Sequence, residues 1–326
     1  AGLVGLGDFA PLPEFGTADV AACARALDGV APRLAGVGVA DAMCAFDDTV
    51  PDAALAPLRC AVESACLDVE AQAAGTSVAA LLASAPADAV AVNAIAADER
   101  DASSVVAAGY RCIKLKVGAA TRAEDVARVA ALRRAIGPDI QLRLDANGAW
   151  SEGEAIAFLR EIAAYAIELV EQPVAAGQLG AMRRVREAAG VPVAADEDVT
   201  GVEAARRVLE ALAADVLIIK PAVVGGLRRA MEIVEMARAA GADVVVTSAM
   251  ESGVGVAGAL HVAAAARVVR ACGLGTLELL ADDLVSDALR VVDGAMVLPR
   301  GAGLGVTLDA TALARYAIAP ARVVRA

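Results

Sequence analysis

The sequence predicts an α/β fold, a (β/α)8-type barrel with an α+β capping domain, from two patterns. Between Val90 and about Arg290, short apolar runs alternate with Ala-, Arg- and Glu-containing segments of helical period. Most of the runs are too continuous for half-exposed antiparallel strands; strands of a parallel sheet that helices cover on both faces have this composition. Eight such runs in roughly 200 residues therefore indicate eight strands that alternate with helices around a barrel.

The chain divides into three predicted parts. Residues 1–85 open on a glycine-rich stretch and continue as helical segments, the first of which has Thr17 as a candidate N-cap. We expect them to form the capping domain without its first strand, because the sequence begins abruptly. Residues 86–290 should form the barrel domain, and residues 291–326 should return to the capping domain.

The eight predicted strands follow one another at the spacing of a strand plus a helix. They are "VAVNAIAA", "CIKLKVG", "IQLRLDAN", "IELVEQP", "VPVAADE", "VLIIKPA", "VVVTSAM" and, more weakly, "VVRACGLG". A doubly wound open sheet is the alternative architecture. It is disfavoured because no glycine-rich phosphate loop follows the first strand.

Composition narrows the classes of function. The formal net charge of −12 argues against a nucleic-acid surface and is compatible with a bound divalent cation. No uncharged run reaches the roughly 18 to 20 residues of a membrane span, so the high hydrophobic content indicates a buried core. Six cysteines without a CxxC pair indicate buried free thiols in a reducing cytoplasm, and we expect a cytoplasmic protein. The oligomeric state stays open.

Acidic residues recur at the C-terminal tips of consecutive predicted strands. Asp145, Glu171 and Asp196 follow one another at separations of 26 and 25 residues, one strand plus one helix each time. The three carboxylates are therefore expected on one rim of the barrel, where they repel one another unless a cation lies between them. Oxygen ligands without His or Cys predict Mg²⁺, with Mn²⁺ as the alternative metal. Pairing with Lys and Arg alone is the alternative to a metal site.

Lysines flank these acids from two sides. Lys116 on the second strand and Lys220 on the sixth lie roughly opposite each other around an eight-strand ring. A lysine near a dication and another ammonium group has its neutral form favoured and can accept a proton, so both are candidate catalytic residues. Lys114 shares the face of Lys116 and can stabilise negative charge.

Two polar residues beside the acids are candidate substrate contacts. Asn147 could instead orient the metal ligands or form an Asx turn before the Ser151 cap. Glu197 follows Asp196 and is expected to point the other way, where it pairs with a lysine or is an ordinary solvated acid.

The strand-end motifs together resemble the enolase superfamily and, within it, the muconate-lactonizing-enzyme subgroup. They are "KLK", "DAN", "EQP", "DE" and "KP" followed by "GG". The resemblance implies a capping domain that closes over the barrel mouth. It also implies that Asp145, Glu171 and Asp196 bind Mg²⁺, and that Lys116 and Lys220 are acid/base groups in the removal of a proton alpha to a carboxylate.

Three further stretches resemble the o-succinylbenzoate synthase family of this subgroup: "GDFAPLPEF", "TSAMESGVGVAGALHVAAA" and "GLGTLELLADDLV". That resemblance implies a lyase that dehydrates 2-succinyl-6-hydroxy-2,4-cyclohexadiene-1-carboxylate in menaquinone biosynthesis. Lys116 would then be the base, Lys220 a cation opposite the enediolate, and Ser248 a contact to the succinyl part. Asp8 stands where relatives commonly have Glu.

The same resemblance leaves other reactions on small-molecule carboxylates open. N-succinylamino-acid racemase, dipeptide epimerase and muconate cycloisomerase-like enzymes share most of these motifs. Dipeptide epimerases usually carry Asp-x-Asp at the end of strand eight, where this chain has Gly273-Leu274-Gly275, although Asp282 and Asp283 are nearby. A barrel that has lost catalysis and only binds a ligand is a further alternative, disfavoured by the intact lysines and acids.

Overall fold

A computed structural model describes residues 2–50, 53–286 and 289–325 of the chain. The helices are α1 (Val20–Leu34), α2 (Val39–Asp47), α3 (Ala56–Ala74), α4 (Val78–Leu82), α5 (Glu99–Ala107), α6 (Arg122–Ile136), α7 (Glu152–Glu161), α8 (Leu179–Ala189), α9 (Val202–Glu210), α10 (Pro221–Val224), α11 (Leu227–Ala239), α12 (Gly253–Ala265) and α13 (Ala310–Tyr316). The strands are β1 (Ala89–Ala91), β2 (Ala94–Ile95), β3 (Cys112–Lys116), β4 (Gln141–Asp145), β5 (Ile167–Glu171), β6 (Val193–Ala195), β7 (Val216–Ile219), β8 (Asp243–Val246), β9 (Val291–Val292) and β10 (Ala295–Val297).

A seven-stranded parallel sheet in the order β2-β3-β4-β5-β6-β7-β8 forms the centre of the molecule. Consecutive strands pair in chain order, and helices connect them from β2 onward. The α/β class predicted from the alternating pattern is confirmed by this arrangement, because each apolar run from 112 to 246 contains one strand of the sheet.

The first and eighth predicted strands differ from the expectation. The run "VAVNAIAA" is divided, because β1 pairs antiparallel with β10 in a separate three-stranded sheet and only β2 joins the parallel sheet. The run "VVRACGLG" is not a strand. Instead, Cys272 bridges Val92 and Gly273 bridges Thr247, so this short segment connects the two edges of the parallel sheet. Small glycine-rich sequence explains the weak pattern, since it supplies few side chains for a ladder to pack.

Alternation along the strands separates two faces of the sheet. In β4, Leu142 and Leu144 join the main apolar core, which the covering helices complete. Arg143 and Asp145 lie on the other face, which is the interior of the curled sheet. A small apolar layer fills the middle of that interior; its members are Leu169, Ala194, Val216, Ile218 and Val245.

An ionic network fills the interior at the end where the strands begin. Arg143 is fully buried and donates two hydrogen bonds to Glu168, at 2.7 and 3.1 Å, and one to the carbonyl of Ala271 at 2.7 Å. Arg270 then joins Glu168 to Asp243, with N···O distances of 2.6 and 2.7 Å. We call this set the lower network: Arg143, Glu168, Arg270 and Asp243.

The N-terminal helices have a small core of their own, formed by Cys23, Val30, Phe46 and Leu58. The predicted cap Thr17 is wrong. Helix α1 begins after Asp19, whose Oδ1 accepts a hydrogen bond from the Ala22 amide at 2.7 Å, because a carboxylate three residues before that amide has the N-cap geometry.

An extended N-terminal segment, residues 2–12, packs against α3. A Cβ atom added at Gly5 or Gly7 would lie 2.0 Å from a carbonyl oxygen of that helix, so the close approach requires glycine at both positions. The C-terminal part also reaches α3, where the Leu304 amide donates to Asp68 at 2.8 Å.

The single histidine and the cysteines have structural positions. His261 is fully buried; its Nδ1 accepts from the Ala79 amide and its Nε2 lies 3.0 Å from the Leu304 carbonyl oxygen. The cysteines are free, and four are buried, whereas Cys44 is exposed and Cys66 is half-buried. Of the helices in the described ranges, none combines the length and the apolar character that crossing a membrane requires.

Candidate active site

Strand register brings the predicted acids together at the C-terminal ends of the sheet. Lys116 pairs with Asp145, Asp145 pairs with Glu171, and Glu171 pairs with Ala194 in β6. Asp196 follows Ala194 by two residues, so its side chain returns to the same face. The three carboxylates therefore project into the interior from three neighbouring strands, as the spacing in the sequence predicted.

All three carboxylates are buried and each is paired with a lysine. Asp145, Glu171 and Asp196 are 2%, 4% and 6% exposed. Lys114 Nζ lies 2.9 Å from Asp145 Oδ2 and 3.3 Å from Glu171 Oε1, while Lys220 Nζ donates a short hydrogen bond to Asp196 Oδ1. The lysines thus compensate the buried negative charge, which would otherwise be strongly unfavourable.

Electrostatics couples these groups. Burial opposes the charged form of Lys114, but the carboxylates of Glu171 and Asp145 outweigh it and raise the pKa of this lysine. Burial raises the pKa of Glu171, and the neighbouring Asp196 adds to this effect although Lys114 opposes it. The carboxylates therefore still repel one another after the lysines have paired with them.

The donor set fits a hard divalent cation in its chemistry. The candidate ligands are oxygen atoms only, on rigid strands, with residual repulsion that a dication would relieve. Across residues 2–50, 53–286 and 289–325, no three acidic, histidine or cysteine side chains are arranged to bind a metal ion together. The strand-end acids form ion pairs with Lys114 and Lys220 instead. The metal site stays a prediction that rests on these carboxylates.

The small number of lysines in the sequence is a further signal for the site. The chain has only three lysines among its 29 basic Lys and Arg residues, and all three line one cavity. Every other basic side chain is arginine, which stays protonated in proteins. Lysine is thus confined to the place where a proton could be exchanged.

The cavity has a volume of about 320 Å³, within the range of small-molecule sites. Its charged end holds the acids and lysines described above. The other end is lined by apolar and hydroxyl side chains: Leu12, Ile95, Val105, Met250, Leu279, Ser248 and Thr276. Lys116 is exposed to this cavity and makes no ion pair with any residue that the structure describes.

The three predicted substrate contacts are placed differently. Ser248 lines the cavity, with its Oγ 2.8 Å from Thr276 Oγ1, and Asn147 also lines it. Glu197 is not part of the lining; its Oε1 accepts a hydrogen bond from Asn147 Nδ2 at 3.1 Å. Its Oε2 is the buried side-chain oxygen or nitrogen that lacks a partner within the described residues. The pair links the ends of β4 and β6, and direct contact with substrate stays a prediction for all three.

Sequence reasoning missed two residues beside the acids. Gln172 is fully buried, with φ of +40°; its Oε1 accepts from the Asp196 amide at 3.0 Å and its Nε2 donates to Asp198 at 2.8 Å. It therefore fixes the backbone of one predicted ligand, and its place in "EQP" was the available signal. Phe15 comes from the N-terminal segment, and its ring centroid lies 4.3 Å from Lys220 Nζ. No strand-end pattern could reveal that contact.

Comparisons with known proteins agree with this fold and site. A family model described as Enolase C-terminal domain-like matches residues 97–312. The o-succinylbenzoate synthase of Thermobifida fusca is 40% identical over 220 residues, which cover 65% of this chain and 68% of the relative. The L-Ala-D/L-Glu epimerase of Clostridium acetobutylicum is 36% identical over 220 residues, and the match spans 67% of this chain but only 61% of the relative.

A solved structure has nearly the same course of the chain. The dipeptide epimerase of Enterococcus faecalis V583, in complex with Mg and the dipeptide L-Leu-L-Tyr, superposes with a TM-score of 0.87 at 28% identity. The match covers 94% of this chain and 88% of that one. The parallel sheet and its strand-end acids and lysines define an enzyme of the enolase superfamily, and the chain belongs to that superfamily. Its relatives are muconate-lactonizing-subgroup enzymes, among them an o-succinylbenzoate synthase, so the predicted resemblance is confirmed.

Proposed function

We propose that the protein is an Mg²⁺-dependent o-succinylbenzoate synthase, a lyase that dehydrates 2-succinyl-6-hydroxy-2,4-cyclohexadiene-1-carboxylate in menaquinone biosynthesis. The observation that carries the proposal is the placement of all three lysines of the chain around three buried carboxylates in one cavity. Similarity to the Thermobifida fusca enzyme is compatible with this reaction, and epimerase and cycloisomerase relatives are similarly close. We further propose a cytoplasmic location and a small-molecule carboxylate as the partner.

The same proposal includes the architecture that the sequence predicted. The segment around Cys272 would occupy the eighth position of a (β/α)8-type barrel, since it bridges both neighbouring edges. Residues 1–85 and 291–326 would form the capping domain over its mouth. Phe15 and Leu12 line the cavity from the N-terminal part, which supports such a role.

Each group has a role that its position supports. Asp145, Glu171 and Asp196 would hold Mg²⁺, which stabilises the negative charge that develops on the substrate carboxylate. Lys116 is the base: it faces the cavity without an ion pair to any described residue and takes the proton alpha to the carboxylate. The C–H electron pair moves into the carboxylate to give an enediolate. It then forms the new C=C bond as the C–O bond breaks, and the proton on Lys116 leaves with the hydroxide as water.

Lys220 and Lys114 act as cations in this scheme. Lys220 is buried between Asp196 and Phe15 and faces the cavity from the other side, opposite the developing enediolate. Lys114 lies between Asp145 and Glu171 and keeps these carboxylates oriented. Ser248 and Thr276 offer hydroxyls to the succinyl part at the other end of the cavity.

A racemase or epimerase of the same superfamily is the second candidate, because lysines on two sides of the cavity suit removal and return of a proton on opposite faces. Two acids left this alternative open in the sequence. Asp283 accepts from the Gly253 amide at 2.8 Å, and Asp282 pairs with Arg315 at 3.0 Å. Neither lines the cavity, so neither is placed to bind a substrate ammonium group. This placement favours the dehydration over epimerisation of a dipeptide, whereas an N-acylamino acid carries no ammonium group and is not disfavoured by it.

The test is conversion of the cyclohexadiene substrate by the purified full chain with Mg²⁺, followed by the absorbance of the aromatic product. Lys116→Arg is the matched control, because it keeps the positive charge but cannot accept a proton. We expect turnover by the wild type and its loss in Lys116→Arg. Turnover that survives this change, or a folded and Mg²⁺-saturated protein without turnover, contradicts the proposal. Deuterium incorporation at the alpha carbon of N-succinylamino acids or dipeptides would then identify the second candidate.

A further inference from the structure

The N-terminal segment is fastened to the body of the protein at two points. The Leu6 amide donates to Asp68 on α3 at 2.9 Å. Asp8 Oδ2 accepts from both the amide and the hydroxyl of Ser252, at 2.7 and 2.8 Å. Ser252 is the N-cap of α12, so the Asp8 carboxylate lies at the positive end of a 13-residue helix. The two fastenings fix the path of the chain that leads to the cavity.

Phe15 is the residue that this path delivers to the charged end of the cavity. A short 3₁₀ turn, Pro13–Phe15, ends at Gly16 with φ of +79°, a left-handed conformation that glycine adopts without strain. The turn places the aromatic ring over Lys220, whose ammonium group bonds to Asp196 as well. The lysine is therefore held between a carboxylate and an aromatic face.

An aromatic face attracts an ammonium group but offers it no proton acceptor. Phe15 therefore limits where the Lys220 Nζ can lie without adding a second hydrogen-bond partner. A leucine of similar bulk would exclude water from the same space and would lack that attraction. This difference separates a specific role of the ring from simple covering of the cavity.

We infer that Phe15 is a positioning residue for Lys220 and that the Asp8–Ser252 contact is the anchor that keeps it in place. The inference rests on the proposed function where it concerns turnover, since there Lys220 is the cation that faces the enediolate. The part of the inference that concerns the position and reactivity of Lys220 is independent of the proposed function.

The first test measures the lysine directly. Because the chain has only three lysines, acetylation by dilute acetic anhydride followed by peptide mass spectrometry reports Lys220, with the exposed Lys116 as the internal standard. The metal-free full-length protein is used, without substrate. In Phe15→Leu we expect the labelling rate of Lys220 relative to Lys116 to rise about two- to thirtyfold, whereas Phe15→Tyr should stay close to the wild type. Equal rates in Phe15→Leu and wild type would overturn the inference.

The anchor is tested in the same assay. Asp8→Ala should raise the labelling of Lys220 as Phe15→Leu does, and the double variant should show no further rise, because both changes act through the same ring. Glu235→Gln, at an exposed position on α11 outside the cavity lining, is the matched control and should label like the wild type. Additive effects of Asp8→Ala and Phe15→Leu, or an unchanged rate in Asp8→Ala, would show that Asp8 is not the anchor. Circular dichroism and the unfolding temperature confirm that each variant is folded.

Turnover provides the second readout. Phe15→Leu should lower kcat by about tenfold and change KM much less, with recovery in Phe15→Tyr. A Phe15→Leu variant with altered KM and unchanged kcat would make Phe15 a substrate contact and overturn the positioning role. If the wild type fails to dehydrate the substrate, the proposed function falls, and the labelling result still decides whether Phe15 positions Lys220.

Discussion

The curled sheet has an ionic network at each of its ends, and the two are built from different cations. At the end where the strands begin, Arg143 and Arg270 bind Glu168 and Asp243. At the end where the strands finish, Lys114 and Lys220 bind the predicted metal ligands. A thin apolar layer that includes Leu169 and Ile218 lies in the same interior, and Arg143 also lines the cavity that holds the lysines.

The choice of cation decides what each network can do. Arginine remains protonated, and its planar guanidinium group binds a carboxylate through two parallel hydrogen bonds. The lower network therefore keeps one charge state and one geometry. Lysine presents a single mobile ammonium group, which can lose a proton or give way to a metal. Since 26 of the 29 basic residues are arginine, the three lysines mark the end of the barrel where chemistry can occur.

The largest effect should come from changing Lys116, at the end of the sheet where the strands finish, which has no ion pair to any residue that the structure describes. Lys116→Met should lower kcat by about 10²- to 10⁴-fold, the usual contribution of a positioned acid or base. The free energy of unfolding should change little, because Lys116 is exposed and has no ion pair among the described residues. Steady-state kinetics and urea unfolding measure the two quantities. A small loss of kcat with a large loss of stability would assign Lys116 a structural role.

Removing a cation from the lower network should lower the free energy of unfolding more than it affects kcat. Arg143→Met leaves Glu168 buried beside Arg270 alone, and we expect a loss of about 3–5 kcal/mol in the free energy of unfolding. Urea or guanidinium unfolding measures this loss. The double variant Arg143→Met, Glu168→Met should recover much of the stability, since no carboxylate then remains without its partner. A double variant that is no more stable than Arg143→Met would show that packing, and not the charge, is decisive.

The smallest effect is a dependence of the free energy of unfolding on pH, to which Glu251 should contribute and the lower network should not. Burial and the nearby Asp8 raise the pKa of Glu251 from its ordinary 4.5 to about 7, although its own amide, the Ala249 amide and Lys220 oppose the shift. The buried Cys60 also faces this carboxyl group. The folded protein holds this proton between pH 4.5 and 7 while the unfolded chain releases it. Glu251 should therefore contribute a fall in stability as the pH rises across that window, of at most about 1.4 kcal/mol per pH unit, and Asp8, whose pKa burial also raises, adds to it.

The lower network should not contribute to that slope. Burial opposes the charged form of Glu168, but Arg143 and Arg270 outweigh it and hold its pKa below 4.5, so its contribution is lost only in more acidic solution. Urea unfolding between pH 5 and 8 measures the slope, which Glu251→Gln should flatten. Glu235→Gln, at an exposed position on α11, is the control. A slope unchanged in Glu251→Gln would place its source elsewhere.

The sequence predicts those parts of the fold and of the candidate site that follow a repeating pattern. The strand-end acids at regular separations gave Asp145, Glu171 and Asp196 their shared face, because one strand and one helix form a unit of nearly constant length. Lys114, Lys116 and Lys220 followed from the same phase. The regularity fails at the ends of the barrel, where β1 leaves the parallel sheet and the eighth run forms bridges only.

Contacts between distant parts of the chain were beyond such patterns. Phe15 meets Lys220 and Asp8 meets Ser252 through the path of an extended segment, and no periodicity encodes that path. Glu197 is predicted to contact substrate, to pair with a lysine or to be a solvated acid. The structure adds a hydrogen bond from Asn147, since the turns after β4 and β6 bring the two together, and substrate contact stays a prediction. Arg143 was read as part of an apolar run, although its guanidinium group is the centre of the lower network.

The join at Cys272 and Gly273 has a consequence for the wall of the cavity. Four main-chain hydrogen bonds, two to each side, hold this segment between the edges of the sheet. Ser248, on one side of it, and Thr276, three residues after it, both line the cavity. The segment that connects the two edges therefore also positions the hydroxyl-bearing part of the cavity wall, apart in the sequence from the acids and lysines.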